Sequence, residues 1–434
     1  MNIVPARTKR SCYYTSVVPA IVMLLIFVNI SASAQGTDTM TGIYDESIHT
    51  LQVCLDGYPF APAVAVLGSS DIINIQFDQI AEDREYFRYS LSHCNANWQP
   101  SGLSEFEYLD GFNEGTIDDY DFSRGTTVHY VHYSLTIPNE QVTPTVSGNY
   151  LLKVYPESDP DTPVLQCRFM VSEGTVPVAV EAAGQTDIDF NNSHQQVSIV
   201  VDTENAGIRD PFNDLLVTVQ QNGRLDNEAA LPHPLKLVGA RAHYEHMMPL
   251  IFEAGNEYRR FETVSTSYPG MGVAEIEYFY PYYHFTLGTD ERRDSESYSY
   301  DQTQHGRFFV REYDSDNGAT EADYGVVHFS LDYPDSQSAM IFLDGDFTLR
   351  RFDDNARMTF NPESGLYERS MLLKQGAYNY QYLIVPPGAR RGYTAGIEGD
   401  KYQTVNEYLV KVYHRRPGER YDRLIGIGMA NNRL

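Results

Sequence analysis

The chain has 434 residues, of which 59 are acidic and 32 are basic, giving a formal net charge of −27. Such acidity argues against nucleic acid as the main partner, because phosphate backbones attract basic surfaces. Hydrophobic residues make up 42% of the sequence and aromatic residues 13%, which excludes a disordered acidic tail. The 33 tyrosines and 21 phenylalanines favour strands, and the 31 glycines and 22 prolines supply turns. We therefore predict a folded, mostly β protein, and at roughly 150 residues per domain the length indicates about three domains.

Residues 1–34 have the pattern of a secretory signal peptide. Arg7, Lys9 and Arg10 precede an apolar run at 17–28, and a small-x-small cleavage site follows at 32–34. The run is shorter than the roughly 20 residues that span a bilayer, although an uncleaved anchor is the alternative. Cleavage removes three basic residues and leaves a net charge of −30. We expect export to the periplasm and no direct membrane span in the rest of the chain.

Cysteine is scarce for an exported protein. Beyond Cys12, in the predicted signal peptide, the chain has Cys54, Cys94 and Cys167. An odd number permits one disulfide and one free thiol, and three unpaired thiols fit the sequence equally well. No C-x-x-C pair is present, so neither a disulfide scaffold nor a zinc site is indicated.

The first predicted domain, residues 35–173, is a β-sandwich. Short apolar and polar alternations separated by turn signals favour strands with one buried face. Several such strands without helical periodicity are typical of a sandwich. The predicted strands lie at about 72–77, 87–92, 130–137, 150–155 and 163–171.

The middle domain, residues 174–316, is predicted to be β-rich. Strands are expected at about 176–180, 196–202 and 215–221. Asn222-Gly223 follows the third of these strands and predicts a type I′ turn, in which both central residues have positive φ.

The C-terminal domain, residues 317–434, is predicted to contain further strands and to end in a basic tail. The tail holds Arg415, Arg416 and Arg420. The expected strands lie at about 325–331, 340–343, 378–384 and 405–413.

No motif in the sequence indicates an enzyme. Asp314 and Asp316 lack the oxygen donor and the glycine position that a calcium loop needs. His243 and His246 are three residues apart, whereas zinc-protease histidines are four apart on a helix. A G-x-S-x-G elbow and a phosphate-binding loop are also missing from the sequence. We therefore predict no catalytic residues, no metal site and no cofactor.

A turn at 342–347, followed by Gly-x-Tyr-x-Tyr at 376–380, resembles the early-set immunoglobulin-like modules that bind glucans. The resemblance implies an immunoglobulin-like last domain in a tandem β-sandwich fold. Those modules place a tryptophan after the turn, where this chain has Leu349 and Arg350, and Trp98 lies in another domain. A periplasmic glycan-binding module is therefore the alternative function, and the pattern does not favour a glycan as partner.

The aromatic run at 278–285 is the second feature that suggests binding. A strand buried on one face needs an apolar side chain only at every second position, whereas rings here are nearly continuous. Tyrosine is enriched in interface cores. We predict a partner-contact surface at Tyr278, Tyr280, Tyr282 and Tyr283, with core packing as the alternative.

Six colinear segments resemble the Plug protein family of the Bacteroidetes type IX secretion system. They are SLSHCNANW at 90–98, EYLDGF at 107–112, SGNYLLKVY at 147–155, GNEYRRFE at 255–262, EADY at 321–324 and KQGAYNY at 374–380. The resemblance covers about 44–413, nearly all of the expected mature chain.

The resemblance implies a non-enzymatic function and one partner, the outer-membrane type IX translocon barrel. Proteins of this family sit at the periplasmic mouth of the barrel and occlude it when no substrate is engaged. The family has no catalytic residues to carry over to this chain. The expected location is the periplasm, at the inner face of the outer membrane.

Overall fold

Short alternating segments form strands almost throughout the computed structural model of this protein, which describes residues 38–336 and 339–432. Strands account for 46% of the described residues and helices for 4%, so the mostly β, multi-sheet prediction is confirmed. Residues 39–434 form one compact unit. The predicted signal peptide, residues 1–34, lies outside the described residues.

The first sandwich packs two main sheets around a core that includes Phe77, Tyr133 and Tyr150. One sheet has the order β1-β12-β11-β5-β7, with β3 beside β12, and the other has the order β2-β4-β9-β8. A small sheet pairs β10 with β6, and the short helix α1 spans Glu105–Tyr108. The strands are β1 Gly42–Ile43, β2 Ile48–Leu55, β3 Val64–Val66, β4 Ile73–Gln79, β5 Phe87–Cys94, β6 Leu109–Gly111, β7 Gly115–Ile117, β8 Asp119–Phe122, β9 Val131–Ile137, β10 Val142–Pro144, β11 Gly148–Pro156 and β12 Leu165–Ser172.

Strand β9 illustrates why these segments form strands. Val131, Tyr133 and the two later odd-numbered residues are buried, and the polar residues between them are less buried or exposed. A period of two places all the apolar side chains on one face of the sheet. That face contributes to the core of the sandwich.

The second sandwich begins with seven strands. They are β13 Val178–Ala183, β14 His194–Asp202, β15 Leu215–Gln221, β16 Ala229–Leu231, β17 Lys236–Val238, β18 Arg241–Tyr244 and β19 Ile251–Glu253. After β15, Asn222 and Gly223 have φ values of 52° and 72°, and the Arg224 N–H donates to the Gln221 carbonyl. This geometry is that of the expected type I′ turn.

The third sandwich packs the sheet β21-β22-β24-β27-β26 against a sheet centred on β28, which pairs with β20, β23 and β25. Its core includes Phe261, Phe329 and Tyr380. The helix α2 spans Gly318–Glu321. The strands are β20 Arg259–Glu262, β21 Val273–Phe279, β22 Tyr282–Leu287, β23 Phe308–Val310, β24 Tyr324–Leu331, β25 Met340–Asp344, β26 Thr359–Asn361, β27 Leu366–Lys374 and β28 Gly376–Val385.

The last two strands return to the second sandwich. Strand β29, Glu407–His414, pairs with β15 and with β30, Arg423–Asn431. The resulting sheet has the order β16-β15-β29-β30 and shares a core with the sheet β13-β14-β18-β17. The domain boundaries predicted from the sequence, 35–173, 174–316 and 317–434, follow turn signals along the chain. In the structure, hydrogen bonding groups β20–β23 with the third sandwich and β29–β30 with the second.

A buried ion pair joins the first and third sandwiches. Lys374, at the end of β27, places its Nζ 2.6 Å from Asp78 Oδ2 on β4, and both side chains are about 1% exposed. Tyr324 donates to the same oxygen, and His132 Nδ1 lies 2.7 Å from Oδ1. Burial alone would raise the pKa of Asp78, but Lys374 and His132 outweigh burial and hold that pKa below its usual value.

Other polar contacts extend the junctions between sandwiches. Asp323 accepts hydrogen bonds from Thr127 and from the backbone of Val128. Tyr413 of β29 donates to Asn149 of β11, which ties the second sandwich to the first. Asp323, Val128, Tyr413 and Asn149 are buried, so these contacts fix relative orientations as well as satisfying polar groups.

The three described cysteines carry free thiols. Cys54 is half-buried, whereas Cys94 and Cys167 are buried. Burial raises the pKa of the Cys94 thiol to about 11 and that of Cys167 to about 12. The buried thiols therefore stay protonated at neutral pH and act as small apolar side chains.

We predict that Lys374→Met destabilises the protein by about 3–5 kcal/mol, because it leaves the Asp78 carboxylate buried without its cation. The free energy of unfolding from denaturant titration measures the effect. Arg124→Ala is the matched control, since its pair with Asp121 has side chains 69% and 61% exposed, and it should change stability by less than about 0.5 kcal/mol. Equal losses in the two variants would contradict the structural importance of the buried pair.

Candidate functional site: an exposed aromatic hairpin

Strands β21 and β22 form an antiparallel hairpin at the edge of the third sandwich, joined by Tyr280 and Pro281. Directly paired residues have side chains on the same face of the sheet, and successive pairs alternate between faces. Tyr278 is opposite Tyr283 on one face, and Phe279 is opposite Tyr282 on the other. The end of the hairpin therefore carries rings on both faces.

Three consecutive rings at this end are exposed to solvent. Tyr278 is 49% exposed, Phe279 is 56% exposed and Tyr280 is 89% exposed. We call these three residues the aromatic tip. From the sequence, Tyr278 and Tyr280 were predicted to contact a partner, but Phe279 was not. Alternation along β21 places Phe279 on the face opposite to Tyr278.

The other two predicted residues hold the tip in place. Tyr282 packs against a buried cluster formed by Val128 and Tyr130 of the first sandwich and Tyr324 of the third. Tyr283 packs against the core of the third sandwich, and its ring centroid lies 4.9 Å from that of Tyr278. The four tyrosines thus divide into two half-buried anchors and two exposed rings.

Polar groups lie behind the tip on the solvent-facing side of the sheet. His284 Nδ1 and His328 Nε2 are 2.9 Å apart, and Phe279 meets the His284 ring edge-on. Burial and the neighbouring His284 lower the pKa of His328. Glu277 is exposed and pairs with His284 in the strand ladder.

A second exposed aromatic pair lies on the first sandwich. Phe106 of α1 is 86% exposed, and Phe112, just after β6, is 83% exposed. Phe106 directly precedes the segment EYLDGF at 107–112, and Phe112 is its last residue. The sequence pattern did not predict the exposure of these two rings. Both rings are exposed to solvent, so substitutions at Phe106 and Phe112 provide a control for substitutions in the aromatic tip.

The described residues place no cluster of metal-ligating side chains at one point. Among residues 38–336 and 339–432, no group of three or more His, Cys, Asp or Glu side chains is arranged to hold a metal ion. His246 contacts Asp187 at 2.9 Å, and His243 lies on β18. Within the same part of the chain, no helix is both long and apolar enough to cross a bilayer.

The residues expected at a glucan site do not provide a stacking platform. Trp98 is only 7% exposed, and Arg168 lies 4.2 Å from its ring centroid. Arg350 is buried and contacts Asp346 at 2.8 Å and Asp344 at 3.4 Å. Leu349 packs against the core of the first sandwich. These side chains stabilise the turn and the junction between sandwiches.

Comparison with known proteins identifies the family. Residues 48–173, which span β2 to the residue after β12, match the model described as the type 9 secretion system plug protein 1st domain. The chain belongs to the type 9 secretion system plug protein family. The resemblance found in the sequence is confirmed.

A solved structure extends the similarity over the whole fold. A crystal structure of a hypothetical protein from Parabacteroides merdae ATCC 43184 is 43% identical, with a TM-score of 0.90. The match covers 91% of this plug-family chain and 99% of the other. Pseudomonas fluorescens alkylpurine DNA glycosylase AlkC, bound to DNA with an abasic site analog, gives a TM-score of 0.16 at 11% identity over 29% of this chain and 30% of that one, too low to indicate a shared fold. No curated protein matches the chain.

We predict that Tyr280→Ala changes the free energy of unfolding by less than about 0.5 kcal/mol, because the ring is almost fully exposed. Tyr283→Ala should cost about 2 kcal/mol, since it removes a ring packed against the core. Denaturant titration of the two variants tests this division. Similar losses in both would show that Tyr280 is needed for folding and is not a free contact surface.

Proposed function

We propose that this plug-family protein is a non-enzymatic periplasmic protein that occludes the periplasmic opening of the type IX outer-membrane translocon when no substrate is engaged. The observation that carries the proposal is the match of residues 48–173 to the plug protein first domain. The proposed location is the periplasm, at the inner face of the outer membrane.

The construction of the molecule supports a blocking function. A wide aqueous pore passes small solutes unless a folded body covers it, and that body has to resist deformation. Close-packed protein interiors have low compressibility. Buried side chains connect the three sandwiches. Lys374 of the third contacts Asp78 of the first, and Tyr413 of the second donates a hydrogen bond to Asn149 of the first.

The aromatic tip supports a contact with the barrel. Its three rings are exposed, while Tyr282 and Tyr283 anchor the hairpin beneath them. Burying exposed aromatic rings releases about 25 cal/mol per Å² of apolar area, and such residues dominate the energetics of many interfaces. A preformed tip also loses little conformational entropy on binding. We therefore propose that Tyr278, Tyr280, Tyr282 and Tyr283, together with Phe279, form or support a contact with the translocon.

Deletion of the protein is expected to make the outer membrane more permeable to bulky antibiotics in a strain with an intact translocon. Wild-type protein should restore the barrier. A Tyr278→Ala/Phe279→Ala/Tyr280→Ala variant should restore it incompletely and should copurify with the barrel at least roughly tenfold less, as expected for loss of an interface hot spot. Antibiotic sensitivity and the yield of copurified barrel are the two measurements.

The matched control for this experiment is Phe106→Ala/Phe112→Ala, which removes two exposed rings from the first sandwich. It should behave like wild type. Equal losses in the two variants would contradict a specific contact at the tip. A deletion that leaves permeability unchanged would contradict occlusion, and failure of wild-type protein to copurify with the barrel in every transport state would contradict the partner.

A further inference from the structure

Two histidines on neighbouring strands share a hydrogen bond on the solvent-facing side of the third sandwich. His284 lies on β22 and His328 on β24, which run parallel. His284 Nδ1 is 2.9 Å from His328 Nε2, and the ring planes are inclined by 12° with centroids 5.1 Å apart. A bond of this kind has one N–H donor and one bare nitrogen, so the two rings share a single proton between those nitrogens.

Both rings are held by neighbours on the same face. His328 Nδ1 lies 2.8 Å from Ser370 Oγ on β27, and Phe279 packs against the edge of the His284 ring at a centroid distance of 5.3 Å. Histidine ligands of metal ions commonly have the second ring nitrogen fixed by such a hydrogen bond, which sets the tautomer and the ring orientation. The pair is therefore oriented before any ligand arrives.

A carboxylate lies next in the same row of side chains. Glu277 on β21 is directly paired with His284 in the antiparallel ladder, and it is exposed. Paired residues have Cβ atoms about 5 Å apart on one face. Glu277, His284 and His328 thus lie across three adjacent strands. In the side-chain positions of the described residues no three such groups converge, so Glu277 would have to rotate toward the histidines.

We propose that His284, His328 and Glu277 form a surface site for a divalent transition-metal ion of the zinc class. Imidazole nitrogens suit Zn²⁺, Ni²⁺ and Cu²⁺, and zinc accepts carboxylate oxygen as well. With metal–nitrogen distances of about 2.1 Å and a tetrahedral angle, the two nitrogens would be about 3.4 Å apart. Small ring rotations bring the pair from 2.9 Å to that separation. The metal takes the place of the shared proton, and the ring that held this proton takes up one from solvent on its other nitrogen, so both ligands are neutral imidazoles and no net proton is released.

The position of the site gives the ion a structural effect. His284 belongs to the hairpin that carries the aromatic tip, and β22 and β24 pair only over Tyr283–Thr286 and Gly325–His328. An ion bound across β21, β22 and β24 would add a cross-link at the third residue pair from the turn of the hairpin, directly behind the aromatic tip. Metal binding at this position does not depend on occlusion of the translocon.

Titration of untagged, chelator-treated protein with ZnCl₂ by isothermal calorimetry tests the proposal. We expect one ion per chain at a site that His284→Ala or His328→Ala weakens at least roughly tenfold, with a smaller loss for Glu277→Gln. His129→Ala is the matched control, because His129 is an exposed histidine that contacts a single carboxylate, Glu82, at 2.7 Å. It should change the affinity less than twofold.

Two further measurements separate metal binding from folding. Circular dichroism should show that the histidine variants keep the wild-type fold, and hydrogen exchange of the β21 and β22 amides should slow when Zn²⁺ is added to wild-type protein only. Absence of saturable binding by wild-type protein would overturn the proposal. So would unchanged binding by a His284→Ala/His328→Ala double variant, since the ion would then be bound elsewhere.

Discussion

The arrangement of the sandwiches depends on the carboxylate of Asp78. It lies 2.6 Å from the ammonium group of Lys374, accepts a hydrogen bond from Tyr324 and contacts His132, and it is removed from solvent. A buried charge is costly unless its partners are correctly placed. Because those partners come from the first and third sandwiches, the carboxylate is satisfied only when the two sandwiches are docked in one orientation. The contact therefore provides specificity at least as much as stability.

A second buried carboxylate with cationic partners lies within the third sandwich. Glu398 is fully buried and contacts Arg259 and Arg293. Burial alone would raise the pKa of Glu398, but the two arginines outweigh burial and hold it below its usual value. Asp78 and Glu398 are therefore both compensated by cations that lie more than a hundred residues away in the chain. These interior charges help to determine how the parts of the protein fit together.

Much of the fold could be predicted from the sequence because it depends on local patterns. The alternation of β9 and the turn at Asn222 and Gly223 required only a period of two and a positive φ. The strand with which a given strand pairs cannot be predicted from such local patterns. Alternation predicts β29 but not its pairing with β15, which lies almost two hundred residues earlier. Lys374 likewise precedes a turn in the sequence, which predicts exposure. It is buried in the structure because the first sandwich docks against it through Asp78.

The candidate site shows the same limit at the level of single side chains. Four neighbouring tyrosines form one pattern in the sequence, yet Tyr282 faces the first sandwich and Tyr280 faces solvent. The difference arises because Tyr280 lies in the turn of the hairpin, whereas Tyr282 is the first residue of β22 and meets the first sandwich. The row containing His284 and His328 could not be anticipated either, since parallel pairing brings together residues that are 44 positions apart.

Tyr324 connects this surface to the interior. Its hydroxyl donates to Asp78, and its ring belongs to the cluster against which Tyr282 packs. The side chain that helps to satisfy the buried carboxylate thus also supports the hairpin. Loss of the docked orientation would leave Asp78 without Lys374 and Tyr324 and would remove the surface on which Tyr282 rests. This shared residue makes the direction of the aromatic tip a consequence of how the sandwiches are docked.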